Sequence, residues 1–147
     1  MMEKINEINN LIIPQNTKTI AIDFDGTIVE DCYPKIGEPK IFAFETLQHL
    51  QKDGHRLILW TYREGKELEE AVSFCKKNKI VFYAVNKNYP EEVYSESNPR
   101  KIIADIYIDD RNIGGFFGWG KIYQLINPQK DSQLKVKKRS IFDFLKK

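Results

Sequence analysis

Two clusters of aspartates stand out, each placed where an apolar run stops. Asp23-Phe24-Asp25-Gly26-Thr27 follows TKTIAI, and Asp109-Asp110 follows ADIYI. Thr61 closes a third such run, RLILWT. If the three runs are neighbouring strands, their polar ends meet, and four carboxylates that close repel strongly unless a cation neutralises them. An all-oxygen set of this kind suits Mg²⁺ better than zinc. No Cys/His spacing in the chain offers zinc a rival home. Taken alone, Asp-Phe-Asp-Gly-Thr also describes an acidic β-turn in which Gly supplies the unusual backbone angles. Its company, Thr61 and the Asp109-Asp110 pair, separates a site from a turn.

The elements that must position these residues follow from hydrophobic period. Residues 17–23 form a buried strand, and a loop containing Pro and Gly leads to a helix over 40–52, where Phe44, Leu47 and Leu50 share a face. A second strand is predicted over 56–61, then a helix over 65–78 with Leu68, Ala71, Val72 and Cys75 on one side. A third strand is predicted over 80–85, a polar loop over 86–99, a fourth strand over 104–109 and a fifth over 121–126. Strands separated by helical or long crossovers predict an α/β protein with a doubly wound parallel sheet. Ligands then bind outside the carboxyl ends of the strands, where the aspartates and Thr61 fall.

In this order and placement the motifs resemble those of the haloacid dehalogenase (HAD) superfamily of phosphohydrolases. Asp23 to Thr27 is similar to the first signature of that family, DxDGT. Thr61, Lys101 and Asp109-Asp110 stand where its further motifs fall, so the resemblance spans about residues 17–126. It implies a Mg²⁺-dependent phosphatase in which Asp23 attacks phosphorus and Asp25 serves as general acid and then general base. It also implies Mg²⁺ ligands from Asp23, the backbone carbonyl of Asp25, and Asp109 or Asp110, with Asp109 favoured. Thr61 and the backbone N–H groups at Phe24, Gly26 and Thr27 would bind the phosphoryl oxygens. Lys101 would supply positive charge, in preference to Lys87, which follows the third strand. Tyr62 and Arg63, next to Thr61, are candidates for the substrate side; Arg63 either binds a distal anion of the substrate or is simply solvated. About a dozen residues separate Thr27 from the first helix, and the 39 between Thr61 and Lys101 already hold a helix, a strand and a loop. Neither stretch leaves room for a cap domain.

Composition sets the frame. At 147 residues and 41% apolar, the chain suits one domain able to bury its own core. We divide it into an N-terminal extension (1–16), the core (17–127) and a basic tail (128–147). Lys130 to Lys147 holds seven basic and two acidic residues, net +5, leaving the first 129 residues at −3. Ser140 and Asp143 have capping-box spacing ahead of Ile141, Phe144 and Leu145, which predicts a short terminal helix. With no signal-peptide pattern and no long apolar run, a cytoplasmic protein without a membrane partner is expected. A small phosphorylated molecule is the expected substrate. A nucleotide or polynucleotide end held by the basic tail and the aromatic loop Gly114 to Gly120 is the alternative. An open, capless site also suits cover from a neighbouring subunit in a homo-oligomer. A receiver-like signalling domain uses similar residues, but in a different order along the chain.

Overall fold

The computed structural model describes residues 16–128. Its elements are β1 (Thr19–Ile22), α1 (Ala43–Lys52), β2 (Arg56–Leu59), α2 (Gly65–Lys77), β3 (Ala84–Val85), β4 (Ile106–Ile108) and α3 (Trp119–Ile126). The N-terminal extension before residue 16 and the predicted terminal helix lie outside the described residues. By contacts the chain falls into two compact units, divided between Phe116 and Phe117.

In the first unit the four strands form one sheet in the order β3-β2-β1-β4, and all its pairings are parallel. Beginning at β1, the chain steps outward through β2 to β3 and then returns to the far side of β1. That reversal makes a switch point between β1 and β4, as in Rossmann-like doubly wound folds. Register fixes what stands there. Ile22 pairs with Leu59 on one side and Ile108 on the other, so Asp23, Trp60 and Asp109 emerge side by side. The ladder runs one bond further: Asp23 N–H donates to Ile108 O at 3.0 Å and Trp60 N–H to Ile22 O at 2.8 Å.

Alternation along the strands sorts the core. Ala21, Ile58 and Ala84 gather with Ile102 in one buried cluster, against which Trp60, Ala104 and Tyr107 pack. Ile20, Ile22, Leu57 and Leu59 are also buried. Phe44 of α1 and Phe24 each meet Phe74 of α2 edge-on, with centroids 5.8 and 6.5 Å away. The β3–β4 connection forms no helix; it is a loop pinned by asparagines. Asn88 Oδ1 accepts from Ile103 N–H at 2.7 Å, and Asn86 Oδ1 from Thr61 N–H at 2.8 Å. No cap domain is present among the described residues, and no helix there is long and apolar enough to cross a membrane.

In the second unit, residues 121–126 are helical, where a fifth strand was expected. Their β-branched and apolar content suits either state, but Trp119 and Ile122 are the buried pair, and their i, i+3 spacing is helical. In the Gly114–Gly120 segment, Trp119 is thus the first, buried residue of α3, whereas Phe117 is exposed.

Candidate functional site

The turn after β1 is shaped by two small residues. Gly26 adopts φ +83°, and a Cβ there would lie 2.3 Å from Asp110 Oδ2. Only glycine therefore lets the Asp110 carboxylate approach this turn. Thr27 is fully buried, and its hydroxyl joins the two clusters. Thr27 Oγ1 accepts from Asp110 N–H at 3.0 Å and donates toward Asp23 Oδ2 at 3.0 Å, with Asp110 Oδ1 at 3.4 Å.

Asp23, Asp109 and Asp110 each present a carboxylate oxygen within 4.8 Å of the others. Burial lifts the Asp23 carboxyl from 3.8 to about 7, and the neighbouring Asp109 and Asp110 charges push the same way, while hydrogen bonds from Phe24 N–H and Thr27 oppose them. A hard-oxygen set with this much unbalanced negative charge fits a Mg²⁺ ion. Asp25 is not one of the three: its carboxylate faces Arg63.

Arg63 departs most from expectation. It is neither solvated nor free for a substrate, because its side chain is fully buried. Nε donates to Asp25 Oδ2 and Nη2 to Asp25 Oδ1, both at 2.7 Å. Nη2 also reaches Lys35 O at 2.8 Å and Nη1 reaches Pro34 O at 3.0 Å. The hydrogen bond to Asp25 is the largest of the influences that raise the guanidinium's pKa above its usual value. Arg63 N–H donates to Thr61 Oγ1 at 3.2 Å, a local contact, but its head meets Asp25 across 38 positions of sequence, a relation invisible in a local pattern that decides where this arginine goes.

These groups open into a cavity of about 670 Å³, walled by Asp23, Asp25, Thr61, Tyr62 and Asp109 together with Asp31, Tyr33, Trp60 and Arg111. Of these four, Asp31 and Trp60 carry no signal in the sequence as wall residues, whereas Tyr33 and Arg111 lie in loops flanking the motifs, a placement that suits both to face the site. Arg111 is paired loosely with Asp31 at 3.5 Å, and its N–H donates to Asp109 Oδ1 at 2.8 Å. Tyr33 and Tyr62 meet edge-on, centroids 6.3 Å apart. A second cavity, about 510 Å³, shares Trp60, Thr61 and Tyr62 with the first and reaches Lys87 and Arg100. Lys101 lines neither; its Nζ sits 5.2 Å from the centre of the Tyr107 ring. The backbone donors expected to hold phosphoryl oxygens are already engaged: Phe24 is fully buried with its N–H on the Asp23 carboxylate, and the Gly26 and Thr27 N–H groups donate to Val29 O at 2.8 Å and Phe24 O at 3.3 Å.

Fold and site together define a Rossmann-like α/β protein with an acidic, metal-suited cluster at its switch point. The chain belongs to the same family as a conserved protein from Bacteroides thetaiotaomicron whose structure has been solved: identity is 54%, the match covers 78% of this chain and 93% of that one, and the TM-score is 0.73. No protein-family model and no curated protein matches the chain.

Proposed function

We propose that this protein is a Mg²⁺-dependent phosphatase of the haloacid dehalogenase type, cleaving phosphate monoesters through an aspartyl-phosphate on Asp23. The observation that carries the reading is the convergence of the Asp23, Asp109 and Asp110 carboxylates at the β1/β4 switch point, on a cavity that also holds Asp25 and Thr61. Asp23, Asp109 and Asp110 would hold Mg²⁺, which supplies the positive charge that lets a carboxylate and a phosphate dianion meet.

The chain's own groups account for the rest. An Asp23 oxygen forms a bond to phosphorus as the ester P–O bond breaks, and the leaving oxygen takes a proton that Asp25 carries on a lone pair outside the Arg63 fork. Water then attacks the phosphorus and gives a proton back to Asp25. The bond to Asp23 breaks and orthophosphate leaves. Thr61 Oγ1 accepts from Arg63 N–H and keeps its own proton for a phosphoryl oxygen. For the cation on the substrate side, Lys87 is favoured over Lys101, because Lys87 lies on the cavity that adjoins Thr61 and Lys101 lies on neither cavity. The second cavity is the space for the leaving group, and its asparagines and two tyrosines suit a polar one. The expected substrate is a small phosphorylated molecule, and the expected setting is the cytoplasm.

Acid quenching during turnover of a ³²P-labelled phosphate monoester tests the reading. Label on the peptide containing Asp23 is expected, sensitive to alkali as an acyl phosphate is. Turnover with the label on another residue would contradict it.

A further inference from the structure

A guanidinium removed from water must have its donors satisfied inside the protein. Arg63 meets that demand in one place. Its Nε and Nη2 form a fork on the two oxygens of Asp25, and its Nη1 and Nη2 hold the carbonyls of Pro34 and Lys35. The plane of the guanidinium lies near two rings, Phe24 at 5.1 Å and Tyr33 at 5.2 Å from their centres. The fifth donor, on Nη1, reaches Glu67 O at 3.5 Å, so none is left over for a substrate.

Of the groups it ties together, Asp25 faces the cavity and Pro34 and Lys35 adjoin residues that do. Asp25 keeps 16% of its side chain exposed, on the cavity wall. Turning that carboxylate breaks two short charge-assisted hydrogen bonds at once. Pro34 and Lys35 belong to a segment outside any regular helix or strand, and the same segment contributes Asp31 and Tyr33 to the wall. A lysine could not replace the arginine here, since a point ammonium cannot make the planar, bidentate contact.

We propose that Arg63 is the positioning residue of this site, fixing the orientation of Asp25 and seating the 31–35 wall segment with one side chain. The effect on turnover rests on the phosphatase reading; the seating of the segment does not. In the full-length protein with Mg²⁺, kcat and KM for p-nitrophenyl phosphate are compared among the wild type, Arg63→Lys, Arg63→Met, Asp25→Asn and the double variant Asp25→Asn with Arg63→Met. Misorienting Asp25 is expected to lower kcat by about 100-fold in either Arg63 variant. Because Arg63 acts on kcat through Asp25, the double variant should have the kcat of Asp25→Asn alone. The rise in KM caused by loosening the wall segment should persist in the double variant. Losses in kcat that multiply, or an Arg63→Lys kcat within about twofold of wild type, would overturn the proposal.

Arg63→Met leaves Asp25 without its partner and Asp25→Asn leaves the buried guanidinium without its counter-charge, so these two single variants are the ones least able to fold. The double variant removes both charges and Arg63→Lys keeps both, so these two, measured against the wild type, carry the test if a single charge-removing variant does not fold. Hydrogen exchange over residues 31–37 gives an answer that needs no turnover: faster exchange in Arg63→Lys than in wild type is expected, and equal exchange would overturn the tie. A wild-type protein inert toward phosphoesters would thus count against the phosphatase reading, while exchange still decides the role of Arg63.

Discussion

Without metal, the folded protein should lose stability as pH rises through the acidic range, the reverse of what a salt-bridged aspartate does. Asp23 is the cause. Burial first, then the Asp109 and Asp110 charges, lift its carboxyl from 3.8 to about 7. Between those values the native state keeps a proton that the unfolded chain has released, so the native state binds more protons and unfolding becomes easier with each step up in pH. Stability is fully present below about pH 4 and is lost by about pH 7. At about 1.4 kcal/mol per unit the ceiling is about 4 kcal/mol, and the partial access of water to the site reduces the expected loss to about 2 kcal/mol. Urea unfolding in EDTA at about pH 5 and about pH 8 reads this directly, beside Asp23→Asn, whose amide cannot titrate. The part of the pH dependence due to Asp23 should vanish in the variant. Mg²⁺, if it is the ion the ionised cluster holds, should restore stability near pH 8 and do little near pH 5. Identical pH slopes for the wild type and Asp23→Asn would refute the reasoning.

Other consequences follow from the same geometry. Gly26→Ala forces a Cβ toward Asp110 in a left-handed conformation, at a cost of about 1–2 kcal/mol; calorimetry should show weaker Mg²⁺ binding, and unchanged affinity would mean that this approach does not matter. Thr27→Val removes the hydroxyl that links Asp23 to Asp110 and should cost about 1–3 kcal/mol in thermal or urea unfolding, with a variant as stable as wild type counting against the link. Lys87→Ala should lower kcat more than Lys101→Ala in a phosphatase assay, and the opposite order would return the role to Lys101. Cys32 is exposed, whereas Cys75 is buried with its thiol pushed up to about 12, so an alkylating reagent should label the native chain at Cys32 and reach Cys75 only on unfolding. Rapid labelling of native Cys75, located by mass spectrometry, would contradict its burial.

What could be read from the chain divides by the range of the interaction. Asp23, Thr61 and Asp109 were legible because each ends an apolar run, and parallel pairing in register carries run ends to a common edge. Gly26 was legible as a turn, but its closeness to Asp110 bridges 84 positions of sequence and needed the fold. Arg63 was misread for the same reason: at a helix start it looks solvated, and only the approach of Asp25 and of the Pro34 and Lys35 carbonyls explains its burial. Placement before β4 pointed to Lys101, yet the β3–β4 loop turns that lysine onto Tyr107 and sets Lys87 beside the second cavity. The 121–126 segment shows a limit of periodicity, since six positions, four of them apolar, are too few to separate strand from helix.

The most direct test of the central claim is hydrolysis of p-nitrophenyl phosphate by the purified full-length protein, with Mg²⁺ or with EDTA, beside Asp23→Asn. The account predicts turnover that needs Mg²⁺ and is abolished by the substitution while the variant stays folded. Undiminished hydrolysis by Asp23→Asn, or a folded wild type that binds Mg²⁺ and hydrolyses no phosphoester, would contradict it.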